Sequence, residues 1–174
     1  MIYNYSTISS IIQNKLNYIP DQILIVDSHS QTMSQWNQSA LVENYKISTS
    51  RYGIGNKENS CRTPPGIHSI VEKIGDGAPP GRIFRSRIDT GVNWHPGMNE
   101  ENLILTRILR LKGLQTGINS GPGIDSFERY IYIHGTNHED LIGTPMSHGC
   151  ICMKNGDIIE LFNSVKEGAV VYID

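Results

Sequence analysis

Five residues that can act as nucleophiles, bases or metal ligands lie in the last third of the chain. Cys150 and Cys152 are separated by one residue in the segment SHGCIC, and three histidines accompany them, His134, His138 and His148. Thiolates and imidazoles bind zinc, and a thiolate activated by a histidine attacks carbonyl carbon. The residue types and their spacing therefore allow a metal site, buried structural thiols, or a cysteine nucleophile.

The spacing of the cysteines argues against a metal site. Structural zinc sites use Cys-x2–4-Cys pairs, whereas only one residue separates Cys150 from Cys152 and the chain has no second pair. A disulfide between two such close cysteines would be strained, so reduced thiols in a reducing compartment are expected. Packing is the expected role of Cys61 and the favoured role of Cys152, which would instead line the site if its segment is extended. No metal and no cofactor is predicted.

A cysteine nucleophile needs a histidine from another part of the fold, because adjacent side chains on a strand point to opposite faces. His134 ends the apolar segment FERYIYIH, and Gly135 follows it. An oxyanion is best stabilised by backbone N–H groups in a tight loop, and Gly149 allows close approach of a substrate. We therefore predict Cys150 as nucleophile and His134 as base. The predicted oxyanion donors are the N–H groups of His148, Gly149 and Cys150.

Strands are the main elements predicted to position these residues. Alternating or β-branched apolar segments predict strands at QILIVDS, TMSQWNQS, ALVENYKIST, IHSIVEKIG, RIFRSRI, FERYIYIHGT and AVVYID. The segment NLILTRILRLKGL fits a helix or two strands, and its β-branched content favours strands. Turn-rich composition predicts loops at 51–66, 89–101 and 117–126. The predicted fold class is mainly β (α+β), with two or so helices.

Two helices are predicted, one near each end of the chain. The first ends at Pro20 and carries apolar residues at helical spacing, namely Ile8, Ile11, Ile12 and Leu16. The second covers 155–168, with Asn155 or Asp157 as its cap and Gly168 as its stop. Its predicted apolar face consists of Ile158, Leu161, Phe162 and Val165. We divide the chain into an N-terminal extension, 1–20, and a main domain, 21–174.

Composition restricts the class of partner. A chain of 174 residues fits one domain, and its net charge of −2 with scattered basic residues is unlike the basic surface of a nucleic-acid binder. No apolar run reaches the length of a transmembrane segment. The N-terminal residues lack the pattern of a secretory signal. We therefore expect a cytoplasmic protein if Met1 is the native start, and a periplasmic or cell-wall protein if a signal was removed. The oligomeric state is not predicted.

Several motifs occur in an order that is shared with one known family. They are IYIHGT at 131–136 and SHGC at 147–150, preceded by KIST at 46–49 and TPPGIHSI at 63–70. The segment MKNGDIIELFNSVKEGAVVYI follows them. This ordered set resembles the YkuD-type L,D-transpeptidase catalytic domain over roughly residues 22–174.

The resemblance implies a β-sandwich-like fold and a reaction on peptidoglycan stem peptides or muropeptides. In that family a cysteine attacks the L,D-peptide bond before the terminal D-alanine and forms a thioester. An amine acceptor then gives a 3→3 cross-link or an exchanged D-amino acid, and water gives a trimmed tripeptide. By match, Cys150 is the nucleophile, His134 the base, and the Gly135 carbonyl orients the His134 ring. Ser147 would hold the loop or contact substrate.

One position departs from the family pattern. Two residues after the nucleophile the family usually has Arg, or Asn in one branch, whereas this chain has Cys152. Arg can bind a substrate carboxylate through a two-pronged contact that a thiol cannot replace. Another arginine would then have this role, and the candidates are Arg82, Arg85, Arg87, Arg107 and Arg129.

Three functions follow as hypotheses. The favoured one is a cytoplasmic L,D-carboxypeptidase of peptidoglycan recycling, in which water takes the acyl group. The close alternative is an L,D-transpeptidase of the cell wall. A non-catalytic peptidoglycan-binding module is less favoured, because both Cys150 and His134 are retained in order. A catalytic Cys150 is expected to react with alkylating agents with a depressed pKa.

Overall fold

The computed structural model describes residues 4–98 and 101–174. Residues 1–3 of the predicted N-terminal extension and residues 99–100 of the predicted loop 89–101 lie outside the described residues. The helices are α1 (Tyr5–Leu16) and α2 (Asn155–Ser164), with a single 3-10 turn at Glu139–Leu141. The strands are β1 (Gln22–Asp27), β2 (Thr32–Asn37), β3 (Ala40–Lys46), β4 (Gly66–Ile74), β5 (Arg82–Arg85), β6 (Ile88–Asn93), β7 (Ile104–Gly113), β8 (Tyr132–Gly135), β9 (Ile151–Met153) and β10 (Val170–Ile173).

The strands form one sheet in the order β3-β2-β1-β10-β4-β7-β5-β6, and β8 pairs with both β7 and β9. The pairs β1–β10 and β8–β9 are parallel, and the other pairs are antiparallel. The prediction of a mainly β fold with two helices is confirmed.

Strand β1 is buried on both faces, because each face is covered by a different helix. Leu24 and Val26 belong to the main core, to which α2 contributes Ile158, Leu161, Phe162 and the adjoining Val165. Ile23 and Ile25 point to the opposite face and pack with Ile8 and Ile12 of α1. Period-two alternation thus directs neighbouring residues into two separate clusters. The predicted N-terminal helix is confirmed, and it packs on the sheet.

Strands β8 and β9 use the same alternation to separate core from site. Ile133 and Ile151 point into the main core. Tyr132 points the other way and packs with Phe84 and Ile108 beneath the β5–β6 hairpin, where Cys150 also contacts the cluster. The face of β8 and β9 that turns away from the main core is therefore the face that carries His134 and Cys152, with Cys150 at its edge.

The helix ends differ from those predicted. Helix α1 ends at Leu16, where Asn17 adopts a left-handed conformation, and not at Pro20. Ile11 is exposed on α1. Helix α2 stops at Ser164, before Gly168, because Val165 returns to extended backbone. Neither predicted cap is used: the flanking residue Lys154 makes no side-chain cap bond, and the Asn155 amide bonds elsewhere.

Three strand predictions also need correction. Residues 104–113 form one continuous strand, β7, where two strands were favoured. The segment RIFRSRI is a hairpin and not a single strand, since Ser86 and Arg87 adopt positive φ and turn the chain. The second arm of this hairpin, β6, extends to Asn93 and occupies the start of the predicted loop 89–101. Strand β8 begins only at Tyr132 and ends at Gly135, one residue beyond His134.

Candidate active site

The parallel pairing of β8 with β9 brings the histidine and the cysteines to one face of the sheet. His134 is the register partner of Cys152. Cys150 lies two residues before Cys152, so alternation directs both thiols to the side on which His134 lies. The expectation that the segment is extended at Cys152 is confirmed, because β9 covers Ile151–Met153.

His134 is buried and held in one tautomer. Its Nδ1 lies 2.7 Å from the Gly135 carbonyl oxygen, and because that oxygen only accepts, Nδ1 carries the proton. Burial lowers the pKa of His134 to about 4, although the hydrogen bond to Gly135 works in the opposite direction. The ring is therefore neutral at pH 7, and Nε2 presents a lone pair to the face shared with the thiols.

The conformation of Gly135 fixes this carbonyl. A Cβ atom at position 135 would collide with Asn155 Oδ1 and would lie 2.8 Å from the Leu105 carbonyl oxygen. The Asn155 amide in turn donates to the Thr136 carbonyl at 2.9 Å. Glycine is thus required where β8 passes β7 and the start of α2, and the close packing holds the acceptor of the His134 proton in place.

The Cys150 thiol is partly exposed and is neutral in this structure. Its Sγ donates to the Tyr130 carbonyl oxygen at 3.5 Å. Burial raises the pKa of Cys150 to about 11, and a backbone hydrogen bond from Tyr132 and the positive charge of Arg129 oppose that rise. The expectation of a depressed pKa is therefore wrong for this state of the protein. The reason is tertiary packing, which desolvates the sulfur more than the nearby charge stabilises its anion.

Cys152, and not Cys150, makes the sulfur contact of His134. Its Sγ lies 3.9 Å from His134 Nε2 and accepts from Asn102 Nδ2 at 3.7 Å. The side chain is completely buried, and burial raises its pKa to about 12. A sulfur atom that is sealed from solvent cannot meet a peptide substrate. Cys150, in contrast, is only half-buried.

Ser147 shapes the loop that precedes Cys150. Its hydroxyl donates to the Cys150 carbonyl oxygen at 2.5 Å and accepts from Gly149 N–H at 3.2 Å. Gly149 has φ of +127°, and a Cβ there would approach Ile131 Cδ1 to 3.3 Å. Within the described residues, the N–H groups of His148 and Cys150 have no acceptor in the protein, whereas Gly149 N–H is already bonded. Two of the three predicted oxyanion donors are thus free to bind a substrate oxygen.

Four of the five candidate arginines have structural partners. Arg82 forms an ion pair with Asp89 at 3.0 Å. Arg107 is buried and donates to the carbonyls of Ala78 and Thr106.

Arg129 donates to the carbonyls of Gly55, Asn56 and Arg62. It thereby holds the loop that passes beside Gly149, whose added Cβ would lie 3.4 Å from the Arg62 carbonyl oxygen.

The fourth and fifth candidates lie at the β5–β6 hairpin. Arg87 donates to the Tyr132 hydroxyl at 3.1 Å and lies over the Tyr130 ring at 5.1 Å. It therefore closes the hairpin tip against β8, near Cys150. Arg85 is exposed at the end of β5. None of the five candidates lines the cleft described next.

A cleft of about 570 Å³ opens beside the loop that precedes Cys150. His148 and Met146 line it from the nucleophile loop, and His138 lines it from the segment after β8. Glu101 and Leu141 also line it. Arg51 and Asn102 complete the wall, and sequence reasoning missed both. Each lies in a predicted polar loop or next to one, so no periodicity or motif marks it. The His148 ring faces Tyr52, with 5.8 Å between centroids.

The described residues offer neither a metal-binding cluster nor a membrane-spanning helix. Within 4–98 and 101–174, no three side chains among His, Cys, Asp and Glu are grouped so that they could hold a metal ion. In the same residues, neither helix has the length and hydropathy needed to cross a membrane.

Comparison with known proteins gives the same family as the motifs. Residues 21–173 match the YkuD family, described as the L,D-transpeptidase catalytic domain. A putative L,D-transpeptidase of Bacillus subtilis, YqjB, is 44% identical over 41 residues, which are 24% of this chain and 23% of that protein.

Solved structures agree at the level of the fold. An L,D-transpeptidase from Mycobacterium smegmatis superposes with a TM-score of 0.52 at 14% identity, covering 88% of this chain and 58% of that one. L,D-transpeptidase 3 from Mycobacterium tuberculosis, in complex with a faropenem-derived adduct, gives 0.56 at 16% identity, with coverage of 89% and 60%. A mutant of the Enterococcus faecium enzyme gives 0.55 at 16%, with coverage of 89% and 50%.

The chain spans less than two thirds of the length of each of these solved chains. The family match, in contrast, covers all but the first 20 residues and the last residue of this chain. The chain therefore belongs to the YkuD family of L,D-transpeptidase catalytic domains.

Proposed function

We propose that this protein is a cysteine-dependent acyl-transfer enzyme that releases the terminal D-alanine from peptidoglycan stem tetrapeptides, with water as the favoured acceptor. The observation that carries the proposal is the shared face of β8 and β9. On that face lie the half-buried Cys150 and a neutral His134, whose proton is on Nδ1 and whose Nε2 has only a long contact with Cys152 Sγ at 3.9 Å. A thiol and an imidazole in these states fit general-base activation at the moment of attack, and not a preformed ion pair.

The proposed first step follows from these positions. The Cys150 sulfur bonds to the carbonyl carbon of the L,D-bond, and its proton passes to His134. The thiolate that forms is favoured by the Tyr132 backbone hydrogen bond and the Arg129 charge. The substrate oxygen becomes negative and takes hydrogen bonds from the free N–H groups of His148 and Cys150. His134 then protonates the leaving amine, the C–N bond breaks, and a thioester remains.

The proposed second step regenerates the free enzyme. Water attacks the thioester, His134 takes its proton, and the tripeptide leaves with a new carboxylate while the thiol is restored. An amine in place of water would give exchange or cross-linking. We place the reaction in the cytoplasm as part of the same proposal. The three cysteines are free, which is typical of a reducing compartment.

The test is mass spectrometry of products from a disaccharide-tetrapeptide, with and without an added D-amino acid. Tripeptide in both reactions is the expected result. Exchanged product in preference to tripeptide would replace the hydrolytic proposal with the transpeptidase alternative. A peptide that binds without being cleaved would indicate a non-catalytic binding module.

Cys150→Ala and Cys152→Ala form the matched pair for this test. We expect Cys150→Ala to lose turnover and the covalent acyl adduct in the intact mass. Cys152→Ala should keep both, because that sulfur is sealed from substrate. Full activity in Cys150→Ala would remove the basis of the mechanism.

A further inference from the structure

The leaving residue of the substrate must lie on the His134 side of Cys150. This statement rests on the proposed function, in which His134 gives its proton to the departing amine. The amine nitrogen therefore has to come within hydrogen-bonding reach of His134 Nε2, and the rest of the leaving residue extends beyond it. Its position in the protein depends on which space adjoins His134.

The cleft walled by Arg51 and Asn102 is connected to His134 through side-chain contacts. Asn102 provides the connection, since its amide donates to Cys152 Sγ, which in turn contacts His134 Nε2. The loop before the nucleophile also lines this cleft, through Met146 and His148. A leaving residue that departs past His134 towards Asn102 thus meets a cleft whose wall carries one cation, Arg51, and one carboxylate, Glu101, which has a partner of its own.

The Arg51 guanidinium is held in a fixed orientation at this cleft. Its Nε and Nη2 both donate to the Met146 carbonyl oxygen, at 2.9 and 2.7 Å. Its backbone N–H donates to the Ser147 carbonyl at 3.1 Å. The side chain is exposed, and within the described residues no acceptor takes its remaining three N–H groups. Arg51 is therefore joined to the two residues before the oxyanion loop, with a donor edge left free.

Asn102 offers a second donor in the same cleft. Its Oδ1 accepts from Thr136 Oγ1 at 2.9 Å, which fixes the amide orientation. One Nδ2–H points to Cys152, and the other has no acceptor among the described residues. A guanidinium edge and an amide N–H that face one cavity suit a carboxylate, because its two oxygens accept several hydrogen bonds.

We propose that Arg51, assisted by Asn102, binds the free carboxylate of the leaving C-terminal residue. The site would make the enzyme act only at a chain end, because an internal peptide bond has no carboxylate at this place. By microscopic reversibility an amine acceptor occupies the same cleft. Acceptors that carry a carboxylate next to the amine are then preferred over those that carry an amide.

The experiment compares two substrates that differ in one group. One is the tetrapeptide with a free terminal carboxylate, and the other is the same peptide with a terminal carboxamide. The readout is the ratio of their kcat/KM values for tripeptide release. For the wild-type protein we expect a ratio of about 10 to 100, the range typical of a charged hydrogen-bonding group that loses its partner.

Three variants assign that ratio to a residue. Arg51→Gln should bring it close to one by lowering turnover of the carboxylate substrate alone. Arg51→Lys should keep part of it, since the charge remains and the fork is lost. Arg85→Gln removes an exposed arginine outside the cleft and should leave the wild-type ratio unchanged. Because a general disturbance of the loop lowers both rates together, the ratio reports recognition and not folding.

Binding to the Cys150→Ala protein gives the same ratio without turnover. The assignment of carboxylate binding to Arg51 is overturned if the Arg51→Gln protein keeps the wild-type ratio, in turnover or in binding. A wild-type ratio of one overturns it as well. If the wild-type protein cleaves neither peptide while Cys150→Ala still distinguishes them through Arg51, the proposed function fails and the carboxylate site stands.

Discussion

His68 and His134 are two buried histidines that share most of their properties. Each donates Nδ1–H to the carbonyl of a nearby glycine, Gly66 at 3.0 Å and Gly135 at 2.7 Å. Burial lowers the pKa of each to about 4. They differ at the second nitrogen. His68 Nε2 takes a hydrogen bond of 2.9 Å from the Ser126 hydroxyl, whereas His134 Nε2 has a thiol at 3.9 Å.

The difference at Nε2 separates a structural histidine from a candidate base. A ring with two good hydrogen bonds has no lone pair to offer, and moving it would leave buried polar groups unsatisfied. A ring with one firm bond and one weak sulfur contact is oriented and still basic. Burial and a lowered pKa therefore do not mark the candidate base in this chain; the weak partner at Nε2 does.

Replacing each histidine by asparagine tests the comparison most directly. We expect His134→Asn to lower kcat/KM for tripeptide release by about 10²- to 10⁴-fold, the usual contribution of a general base. His68→Asn should change it by only a few-fold. Both proteins should first show a cooperative unfolding transition. Comparable losses in the two variants would mean that the site depends on packing and not on the partner of Nε2.

Replacing His68 should have a large effect on the free energy of unfolding, in contrast to its small effect on turnover. His68→Ala is expected to lower the free energy of unfolding by about 2–4 kcal/mol, because it removes a buried ring and leaves the Ser126 hydroxyl without its partner. Urea titration followed by tryptophan fluorescence measures the loss. Ser126→Ala is the milder control, expected at about 1 kcal/mol. A neutral His68→Ala would show that the second hydrogen bond does not stabilise the fold.

Acid should destabilise the protein through both rings. The pKa of each ring is lowered from 6.5 to about 4 on folding, so the unfolded chain binds more protons between these values. Stability is complete above pH 6.5 and is lost as pH falls towards 4, by about 1.4 kcal/mol per pH unit for each histidine. Urea midpoints at pH 7, 5.5 and 4.5 check the slope. An NMR titration in which either ring protonates near pH 6.5 would contradict it.

The smallest effect is expected at the thiol that contacts His134. Cys152→Ala removes the contact at 3.9 Å, which is long for a hydrogen bond, so kcat/KM should stay within about tenfold of the wild-type value. The pH profile of turnover is the more sensitive measure. A loss as large as that of His134→Asn would show that Cys152 is essential for orienting the ring.

The sequence was informative where chemistry demands particular residue types in a set order. Cys150, Ser147 and the His134–Gly135 pair could be found because each motif is local in the chain. The residues that surround them and set their pKa values could not be found from the sequence. Burial of Cys150 beneath the β5–β6 hairpin reverses the expected direction of its pKa, and that burial depends on strands far away in sequence.

Loop residues were the hardest to find for the same reason. Arg51 faces the cleft because its guanidinium binds the carbonyl of Met146, 95 residues further along the chain. No periodicity connects the two. Four of the five candidate arginines chosen from the sequence instead bind other partners, as Arg129 binds the carbonyls of Gly55, Asn56 and Arg62. The sequence shows that such residues are present but does not show which residues they contact.

The place of β10 in the sheet has a consequence for how the protein is made. In the sheet order it is the strand that joins β3-β2-β1 to β4-β7-β5-β6. During synthesis, both groups of strands emerge from the ribosome before residues 170–173 do. Until then, β1 and β4 each have an unpaired edge. Such edges invite pairing with other chains. The nascent chain is thus most prone to aggregation just before β10 is synthesised. A pause in translation at that point is when it most needs a chaperone.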